Sequence, residues 1–483
     1  MKTKSIRMNA FLNVLKTVSS VIFPLITFPY VSRVLEVESI GAYNFTSSVI
    51  SYCLLFAGLG VSNYAIREGT QYRNNKSKIE EFISEVFTLN LVSTILVYIV
   101  LFILLMTVPK FENYSLGIIL MSSEIIFATI GVNWVCNIYE DFTYIAVRTI
   151  FFQILSLILI FVLVRAPSDY YRYLIITIIS SSGANILNYF YIRKKYTRFK
   201  IRLTKNIIKH LQPILIIFAS TITITLYVNS DIIILGFMTN DYEVGLYSTA
   251  VKIYTVMKNL LVAVLSVLVP RFSILFATDN KGEANELFKK TLHTIIVLLM
   301  PVTVGLFMTS SDVIQLLASG KYNLAANSLQ ILSIAIFFSL FAYLCTNCIL
   351  LPNKRERLIL YASLCSAVVN IAFNFILIPN IGIEAAALTT VFAEAIMCIV
   401  CIVDSRKYVK LKILDRDNIS VLVACLSIII VCILSKIINE FYLRLVTEIC
   451  GSVIAYLAIL VLFKNSIVSG FMKEFHNRLI RAQ

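Results

Sequence analysis

The sequence predicts an all-α, polytopic membrane protein with about 14 transmembrane helices. Of its 483 residues, 59% are hydrophobic and only 14% are charged, with a mean hydropathy of +0.85. A soluble domain carries about 25% charged residues, so this chain has too few to cover a surface in water. Apolar runs of 18 or more residues recur along the whole chain, and each is long enough to cross about 30 Å of hydrocarbon. These runs leave no room for a separate soluble domain.

The predicted helices follow from these runs, with boundary errors of a few residues. They cover residues 10–33, 40–65, 82–108, 115–139, 146–165, 171–192, 212–236, 243–269, 288–310, 325–350, 357–379, 382–403, 418–438 and 443–463. The basic stretch before the first helix resembles the start of a signal peptide. Lys16, Pro24 and Pro29 interrupt the apolar stretch that follows, and no small-residue cleavage site ends it. We therefore expect a retained first helix.

The distribution of basic residues predicts the orientation. An even number of helices places both termini on one side, and that side carries about 32 Lys and Arg, against about 7 in the opposite loops. Both termini are therefore predicted to be cytoplasmic, in a bacterial inner membrane. The net charge of +15 lies in short loops between apolar segments, which favours contact with anionic lipids over nucleic acid.

An internal repeat predicts two lobes of six helices each. Gly41-Ala-Tyr43 matches Gly245-Leu-Tyr247 at an offset of 204 positions (245 minus 41), and Arg67 matches Arg271 at the same offset. Because six is an even number, the lobes have the same orientation. Such parallel repeats are a transporter architecture in which the substrate lies between the halves near the bilayer midplane.

The predicted organisation has five parts: a first lobe, a basic cytoplasmic linker, a second lobe, two peripheral helices and an amphipathic tail. They cover residues 1–192, 193–211, 212–403, 404–463 and 464–483.

The linker and the tail are both expected to lie at the membrane surface. From Arg193 to Lys209 the linker holds eight basic residues and no acidic one. It is either an ordinary positive-inside loop, which we favour, or a surface that binds lipid headgroups. In the tail, Ile467, Phe471, Phe475 and Leu479 recur every four residues and form one apolar face, which predicts an interfacial anchor.

Three lysines fall inside predicted helices, where a charge costs about 2.5–3.5 kcal/mol and usually faces a cavity or a partner. They are Lys16, Lys252 and Lys258. The positions 204 residues from Lys16 and Lys252 hold serines, so the shared scaffold needs neither lysine. A cavity lined by these cations suits an anionic ligand such as a lipid diphosphate. The alternative for Lys16 and Lys258 is that they extend to the interface.

Acidic and amide side chains inside helices give further candidates. Glu124, Asp231 and Glu394 are candidates for coupling, since a buried carboxyl can bind and release a proton; pairing with a lysine to hold helices together is equally consistent. Asn370 and Asn374 share one helix face. They either bind sugar hydroxyls or link helices, and we favour the second.

The sequence indicates neither an enzyme nor a metal site. The C-x-x-C pairs Cys345/Cys348 and Cys398/Cys401 fall inside apolar segments without nearby histidines, so we interpret them as packing thiols. Asp415-Arg-Asp417 matches a pattern that binds metal and sugar nucleotides, but we expect a solvated loop there. GxxxxGK[ST], GxGxxG and HExxH are absent from the sequence, and no cofactor is expected.

Several stretches together resemble the Wzx-type polysaccharide flippases, over nearly the whole chain except the last two helices. In the first lobe they are Asn13-Val-Leu-Lys16-Thr, Phe23-Pro-Leu-Ile-Thr-Phe-Pro-Tyr-Val-Ser-Arg33-Val-Leu, Ile40-Gly41, Tyr64-Ala-Ile-Arg67-Glu68, Val132-Asn-Trp134, Glu140-Asp141-Phe142 and Arg148. In the second they are Asp231-Ile-Ile-Ile-Leu-Gly236, Gly245-Leu-Tyr247, Asn370 through Ile378-Pro379, and Gly382-Ile-Glu-Ala-Ala.

This resemblance implies the multidrug/oligosaccharidyl-lipid/polysaccharide exporter fold, with two six-helix lobes forming a V around a cationic cavity. It implies alternating access that flips a polyprenyl-diphosphate oligosaccharide from the cytoplasmic to the outer leaflet, for capsule, O-antigen or exopolysaccharide synthesis. The resemblance also implies polysaccharide polymerase machinery as a partner. Cavities in the family are rich in arginine, which adds Arg33, Arg67 and Arg271 to the candidates, although these lie near helix ends here.

Other functions fit the sequence less well. A drug/cation antiporter on the same fold is disfavoured by the positive charge inside the helices. A peptidoglycan-precursor flippase would need a similar cavity, and only the family motifs in the sequence distinguish this function from polysaccharide flipping. A polytopic glycosyltransferase or polymerase needs a sizeable extramembrane surface, whereas the longest predicted outer loop is short, around Asp312 to Leu324.

Overall fold

A computed structural model describes residues 19, 22–204, 206–278, 280–410 and 415–470; for residues 220, 221 and 223–229 it describes the backbone alone. The described α-helices follow one another with short connections. They are α1 (Ile22–Val34), α2 (Val37–Gly58), α3 (Val61–Tyr72), α4 (Lys76–Thr107), α5 (Ser115–Gly131), α6 (Asn133–Ile138), α7 (Phe142–Leu163), α8 (Tyr170–Lys195), α9 (Ile207–Met238), α10 (Asp241–Ser266), α11 (Val269–Ala277), α12 (Lys281–Ala318), α13 (Ala325–Tyr343), α14 (Glu356–Ile381), α15 (Ile383–Ser405), α16 (Arg416–Ser435), α17 (Phe441–Val446) and α18 (Ser452–Leu462).

The helical architecture confirms the predicted fold class. Within the described residues, 12 helical stretches are long and apolar enough to cross a membrane. Two further apolar helical stretches, Ile22–Val34 and Ile207–Ala219 at the start of α9, lie where the first and seventh spans were predicted. Many large apolar side chains on these helices are exposed, as expected where lipid rather than protein surrounds them.

Several spans are built from more than one segment. A short 3₁₀ helix, Pro109–Tyr114, precedes α5, and a π-helical segment, Leu344–Leu350, extends α13. A second π-helical segment, Thr447–Gly451, joins α17 to α18. Such π segments interrupt the regular hydrogen bonding and are frequent at functional sites in helices.

The chain divides into two compact units, Met1–Gly245 and Leu246–Gln483. In the first unit, α5 packs against α2 and α8, and α7 packs against α8. In the second, α15 packs against α13 and α14, while α16 packs against α12 and α18. The division falls after the predicted linker, and the predicted lobe boundaries stay a prediction.

Two predicted loops are shorter than expected, because helices extend into them. Asp312, expected at the start of the longest outer loop, lies inside α12, where its Oδ1 accepts a hydrogen bond from Arg444 Nη2 at 2.5 Å. This pairing lets the carboxylate stay on a helix that continues to Ala318. Asp415 caps the N-terminus of α16 by accepting from the Arg416 N–H at 2.8 Å, and Asp417 lies in the first helical turn. Acidic residues at this end of a helix are stabilised by the positive end of the helix dipole, so their charge alone does not indicate a loop.

The predicted linker runs along α4. The Lys200 N–H donates to Ser84 Oγ at 3.2 Å, and the Arg202 N–H donates to Thr88 Oγ1 at 2.9 Å. The Lys200 and Arg202 side chains themselves are exposed. The backbone of the linker is therefore fixed to the first unit while its charges face outward, which is consistent with both interpretations of its function.

Candidate functional site

The predicted arginines lie on exposed parts of the described chain. Arg33 ends α1 and donates from Nη1 to the Pro29 carbonyl oxygen at 2.8 Å. Arg67 on α3 is 60% exposed and pairs with Glu68, with 3.0 Å between Nε and Oε1. Arg271 is exposed near the start of α11. Lys16 lies outside the described residues.

The predicted lysines of α10, Lys252 and Lys258, are both half-buried. Lys258 pairs with Glu394 on α15, with 2.6 Å between Nζ and Oε1. Tyr254 joins this pair: its hydroxyl donates to Glu394 Oε1 at 3.1 Å and accepts from Lys258 Nζ at 3.3 Å. The structure thus joins one predicted cavity cation to one predicted coupling carboxylate inside the second unit. For Lys258 to bind an anion, it would have to exchange this partner.

The two asparagines of α14 form a buried hydrogen-bond network. Asn370 is 1% exposed and Asn374 is fully buried. Thr389 on α15 donates to Asn374 Oδ1 at 2.7 Å, and Asn374 Nδ2 donates to Asn370 Oδ1 at 3.3 Å. These contacts link α14 to α15, which is the arrangement expected of residues that hold helices together.

The other coupling candidates lie in the first unit. Glu124 on α5 accepts a hydrogen bond from Ser181 Oγ on α8 at 2.6 Å. Asp231 on α9 is buried, at 6% exposure.

A cavity that the sequence did not predict lies in the first unit. It has a volume of about 330 Å³, within the lower part of the range for small-molecule sites. Among the described residues, its lining carries no Asp, Glu, Lys or Arg side chain. The lining residues are Leu54, Leu55, Ala57, Gly58, Gly60, Val61, Ser62, Asn63, Asn90, Ile125, Ala128, Thr129, Asn133 and Trp134. The motif Val132-Asn-Trp134 was the available signal, but it pointed to the family and not to a site.

An amide network supports one wall of this cavity. Asn133 Nδ2 donates to Asn185 Oδ1 at 2.7 Å. Asn133 Oδ1 accepts from Arg148 Nη2 at 2.9 Å and from Asn188 Nδ2 at 3.1 Å. Arg148 itself is only 9% exposed, so a guanidinium lies directly behind the uncharged lining.

Thiols and acids in the described chain do not assemble into a metal centre. Among the described residues, no group of three or more His, Cys, Asp or Glu side chains is placed to hold a metal ion. Cys345, Cys348, Cys398 and Cys401 are buried thiols, as expected for packing residues.

Comparison with solved structures defines the class of fold. The lipid II flippase MurJ, in an inward closed conformation, superimposes with a TM-score of 0.72 over 95% of this chain and all of that one, at 18% identity. An inward-facing multidrug resistance MATE family transporter of the MOP superfamily gives 0.61 over 80% of this chain and 94% of its own length, at 13% identity. The chain therefore has the polytopic fold of the MOP superfamily transporters.

Sequence comparison then gives the family. The profile described as "Polysaccharide biosynthesis protein" matches residues 6–276, and the chain belongs to this family. A Shigella dysenteriae protein named as an O-antigen transporter is 21% identical over 382 residues, covering 78% of this chain and 94% of that one. The capsular polysaccharide biosynthesis protein CapF of Staphylococcus aureus is 24% identical over 378 residues, covering 75% and 89%.

Proposed function

We propose that this protein flips polyprenyl-diphosphate-linked oligosaccharides from the cytoplasmic to the outer leaflet by alternating access. The carrying observation is that a chain with the MOP transporter fold belongs to the polysaccharide biosynthesis family. The names of its relatives refer to O-antigen transport and capsular polysaccharide biosynthesis. The protein then acts as a carrier and not as an enzyme.

The charges on the described helices support an anionic cargo. Lys252 is half-buried on a membrane-spanning helix, and Arg148 is buried on another. A diphosphate is attracted to such cations, because a charge in a low-dielectric setting is stabilised by an opposite one. A cationic drug would need acidic groups, and the described residues that line the cavity in the first unit provide none.

The proposal includes the membrane orientation. Both termini face the cytoplasm of a bacterial inner membrane, because one side of the helices carries most of the basic residues. The exposed Lys200 and Arg202 of the linker lie on that side, where anionic lipids attract them. The predicted two-lobed arrangement would then alternate its access between this side and the outer one.

The leaflet that holds the lipid-linked oligosaccharide tests the function directly. Cells depleted of this protein are complemented with wild type, Lys252→Ala, Lys252→Arg or Lys321→Ala, and oligosaccharide exposed on each leaflet is quantified. We expect accumulation on the cytoplasmic leaflet, relief by wild type and by the control in the exposed turn at Lys321, and poor relief by Lys252→Ala. Lys252→Arg keeps the charge and should restore transport better than alanine.

Unchanged sidedness on depletion, with no second carrier in the cell, would contradict the flippase proposal. Energy-dependent extrusion of an organic cation by the purified protein would instead indicate an antiporter. Equal relief by Lys252→Ala and wild type would be consistent with the flippase proposal but would contradict a role for Lys252 in binding the cargo.

A further inference from the structure

Two breaks between helices occur at the cavity of the first unit. α2 and α3 are separated at Leu59 and Gly60, with φ of 45° and 75°, and α5 and α6 are separated at Val132, with φ of 39°. Left-handed φ is unusual for any residue other than glycine and is an outlier for the β-branched valine. A sparsely populated backbone conformation of this kind persists only where the surrounding structure stabilises it, and such conformations cluster at functional sites. In membrane transporters, interrupted helices of this kind form substrate sites.

The break before α3 leaves hydrogen-bond donors at the cavity. Within the described part of the chain, no side chain caps the N-terminus of this 12-residue helix, and its first residues, Val61, Ser62 and Asn63, line the cavity. The first N–H groups of a helix have no partner within the helix and carry the positive end of its dipole. They therefore favour a ligand that presents oxygen acceptors.

A buried indole supplies an independent donor. Trp134 lines the cavity and is 4% exposed, and its Nε1 has no hydrogen-bond partner among the described residues. A buried N–H without an acceptor is unfavourable, so a ligand acceptor that reaches it is stabilised by the new hydrogen bond. The indole ring also provides an aromatic wall with a polar edge, a combination suited to sugar rings.

The Arg148 guanidinium lies behind the cavity wall and not in it, and it makes the surroundings of the cavity electropositive. Its Nη2 is bonded to Asn133, whereas its Nε and Nη1 have no hydrogen-bond partner in the described part of the chain. A carbonyl dipole is stabilised in such a field, and an organic cation is repelled. A free phosphate would prefer a guanidinium or ammonium in the wall itself, and the described lining residues supply neither.

We infer that this cavity is a saccharide subsite that takes one acetamido sugar of the lipid-linked cargo. The acetamido carbonyl would accept from Trp134 Nε1 or from the start of α3, and ring hydroxyls would bind Ser62 and Asn63. A volume of about 330 Å³ suits a sugar residue and not the whole glycolipid. This inference rests on the proposed function. By the predicted orientation, the subsite lies at the cytoplasmic end of the unit, where the cargo enters.

The sequence provides a built-in reporter, because Trp134 is its single tryptophan. Intrinsic fluorescence of the full chain in lipid nanodiscs is therefore titrated with N-acetylglucosamine, glucose, inorganic pyrophosphate and tetraphenylphosphonium. We expect N-acetylglucosamine to shift the emission saturably and to protect it from acrylamide quenching, with glucose at least about tenfold weaker for lack of the carbonyl acceptor.

Matched variants of α3 locate the binding. Ser62→Ala and Asn63→Ala change exposed side chains, so folding should persist, and each should weaken N-acetylglucosamine binding by about two- to tenfold. Gln71→Ala, exposed on the same helix but outside the cavity lining, should bind like wild type. Equal weakening by all three variants would contradict the proposed location.

Other responses would overturn the inference. These are an equal response to glucose and N-acetylglucosamine, a response to pyrophosphate or tetraphenylphosphonium alone, or no response to any probe. The sidedness experiment is independent of this one. If wild type relieves the depletion but no sugar changes the fluorescence, the subsite is contradicted and the flippase proposal stands. If the sugar binds but depletion leaves the sidedness unchanged, the flippase proposal is contradicted and the sugar site stands.

Discussion

Within the first unit, Gly41 on α2 packs against the start of α10, and Gly245 on α10 packs against the start of α2. A Cβ on Gly41 would overlap the carbonyl oxygen of Asp241, and a Cβ on Gly245 would overlap the carbonyl oxygen of Val37. Val37 and Asp241 are themselves 204 positions apart (241 minus 37), the offset that relates the glycines. The sequence repeat therefore coincides with a symmetric close approach of the starts of α2 and α10, where small residues let helix backbones meet.

This approach predicts that Gly41→Ala destabilises the protein. The methyl group would meet backbone atoms that cannot rotate away, so we expect a loss of about 1–3 kcal/mol, the cost of overpacking. Thermal unfolding of the purified protein in nanodiscs measures it. Gly58→Ala at the end of α2 is the control, since its Cβ would meet nothing within 4 Å. Equal melting temperatures for the Gly41→Ala variant and wild type would show that the close approach is absent in the membrane.

The fold was predictable because hydrocarbon thickness and backbone hydrogen bonding leave few solutions for long apolar segments. Each predicted span overlaps a described helix. The errors came at polar positions. Asp312 was expected in a loop, whereas its partner arginine keeps it inside α12, and Asp415 caps a helix that begins slightly earlier than predicted. Such partners are distant in sequence or depend on local geometry, so a hydropathy pattern does not reveal them.

The Lys258–Glu394 pair predicts strongly non-additive mutational effects. Removing one member leaves a buried charge without its partner, which costs about 3–5 kcal/mol, whereas removing both leaves none. We therefore expect Lys258→Met to lower the melting temperature more than the double variant Lys258→Met/Glu394→Gln does. A double-mutant cycle of thermal unfolding measures the coupling.

Glu384→Gln, at the start of the same helix α15, is the control for this cycle. It should combine additively with Lys258→Met, because Glu384 is bonded to Asn327 and not to Lys258. Additive effects of Lys258→Met and Glu394→Gln would contradict the pairing. Loss of transport in Glu394→Gln with an unchanged melting temperature would instead support the coupling role of this carboxyl.

The network of α14 and α15 predicts a structural effect for Asn374→Ala. This substitution removes the acceptor for Thr389 and the donor to Asn370, so we expect about 1–2 kcal/mol of destabilisation, the upper end for polar contacts between membrane helices. Thermal unfolding and N-acetylglucosamine binding are measured together, with the affinity expected to stay unchanged. Asn380→Ala, exposed near the end of α14, is the control for stability.

The candidate site was less predictable than the fold. Sequence reasoning selected charges inside helices, and the structure shows that Lys258 and Glu394 bond to each other. It gave Trp134 and Asn133 no role in a site. Burying a neutral side chain in a membrane helix costs little free energy, so the sequence pattern does not single these residues out. Their significance depends on the break at Val132 and on the burial of Arg148 behind them, which are properties of the folded chain.

The loop between α7 and α8 predicts a pH-dependent contribution to stability. Asp169 Oδ2 accepts hydrogen bonds from the Arg165 and Ala166 N–H groups, both at 2.9 Å. These bonds, the one from Arg165 first, hold the pKa of the Asp169 carboxyl below its ordinary value. The folded state therefore binds the proton less readily than the unfolded state does. The stabilisation is present above the ordinary aspartate pKa of about 3.9 and is lost as the pH falls through the lower folded value.

We accordingly expect Asp169→Asn to melt below wild type at neutral pH, and the two melting temperatures to converge as the pH falls below about 4. Thermal unfolding in nanodiscs across this pH range measures the difference. Ser168→Ala, an exposed neighbour in the same loop, should follow the wild-type curve throughout. A gap between Asp169→Asn and wild type that stays constant with pH would show that the side chain acts through its shape and not through its charge, because an ionised carboxylate accepts these bonds more strongly than a neutral amide does.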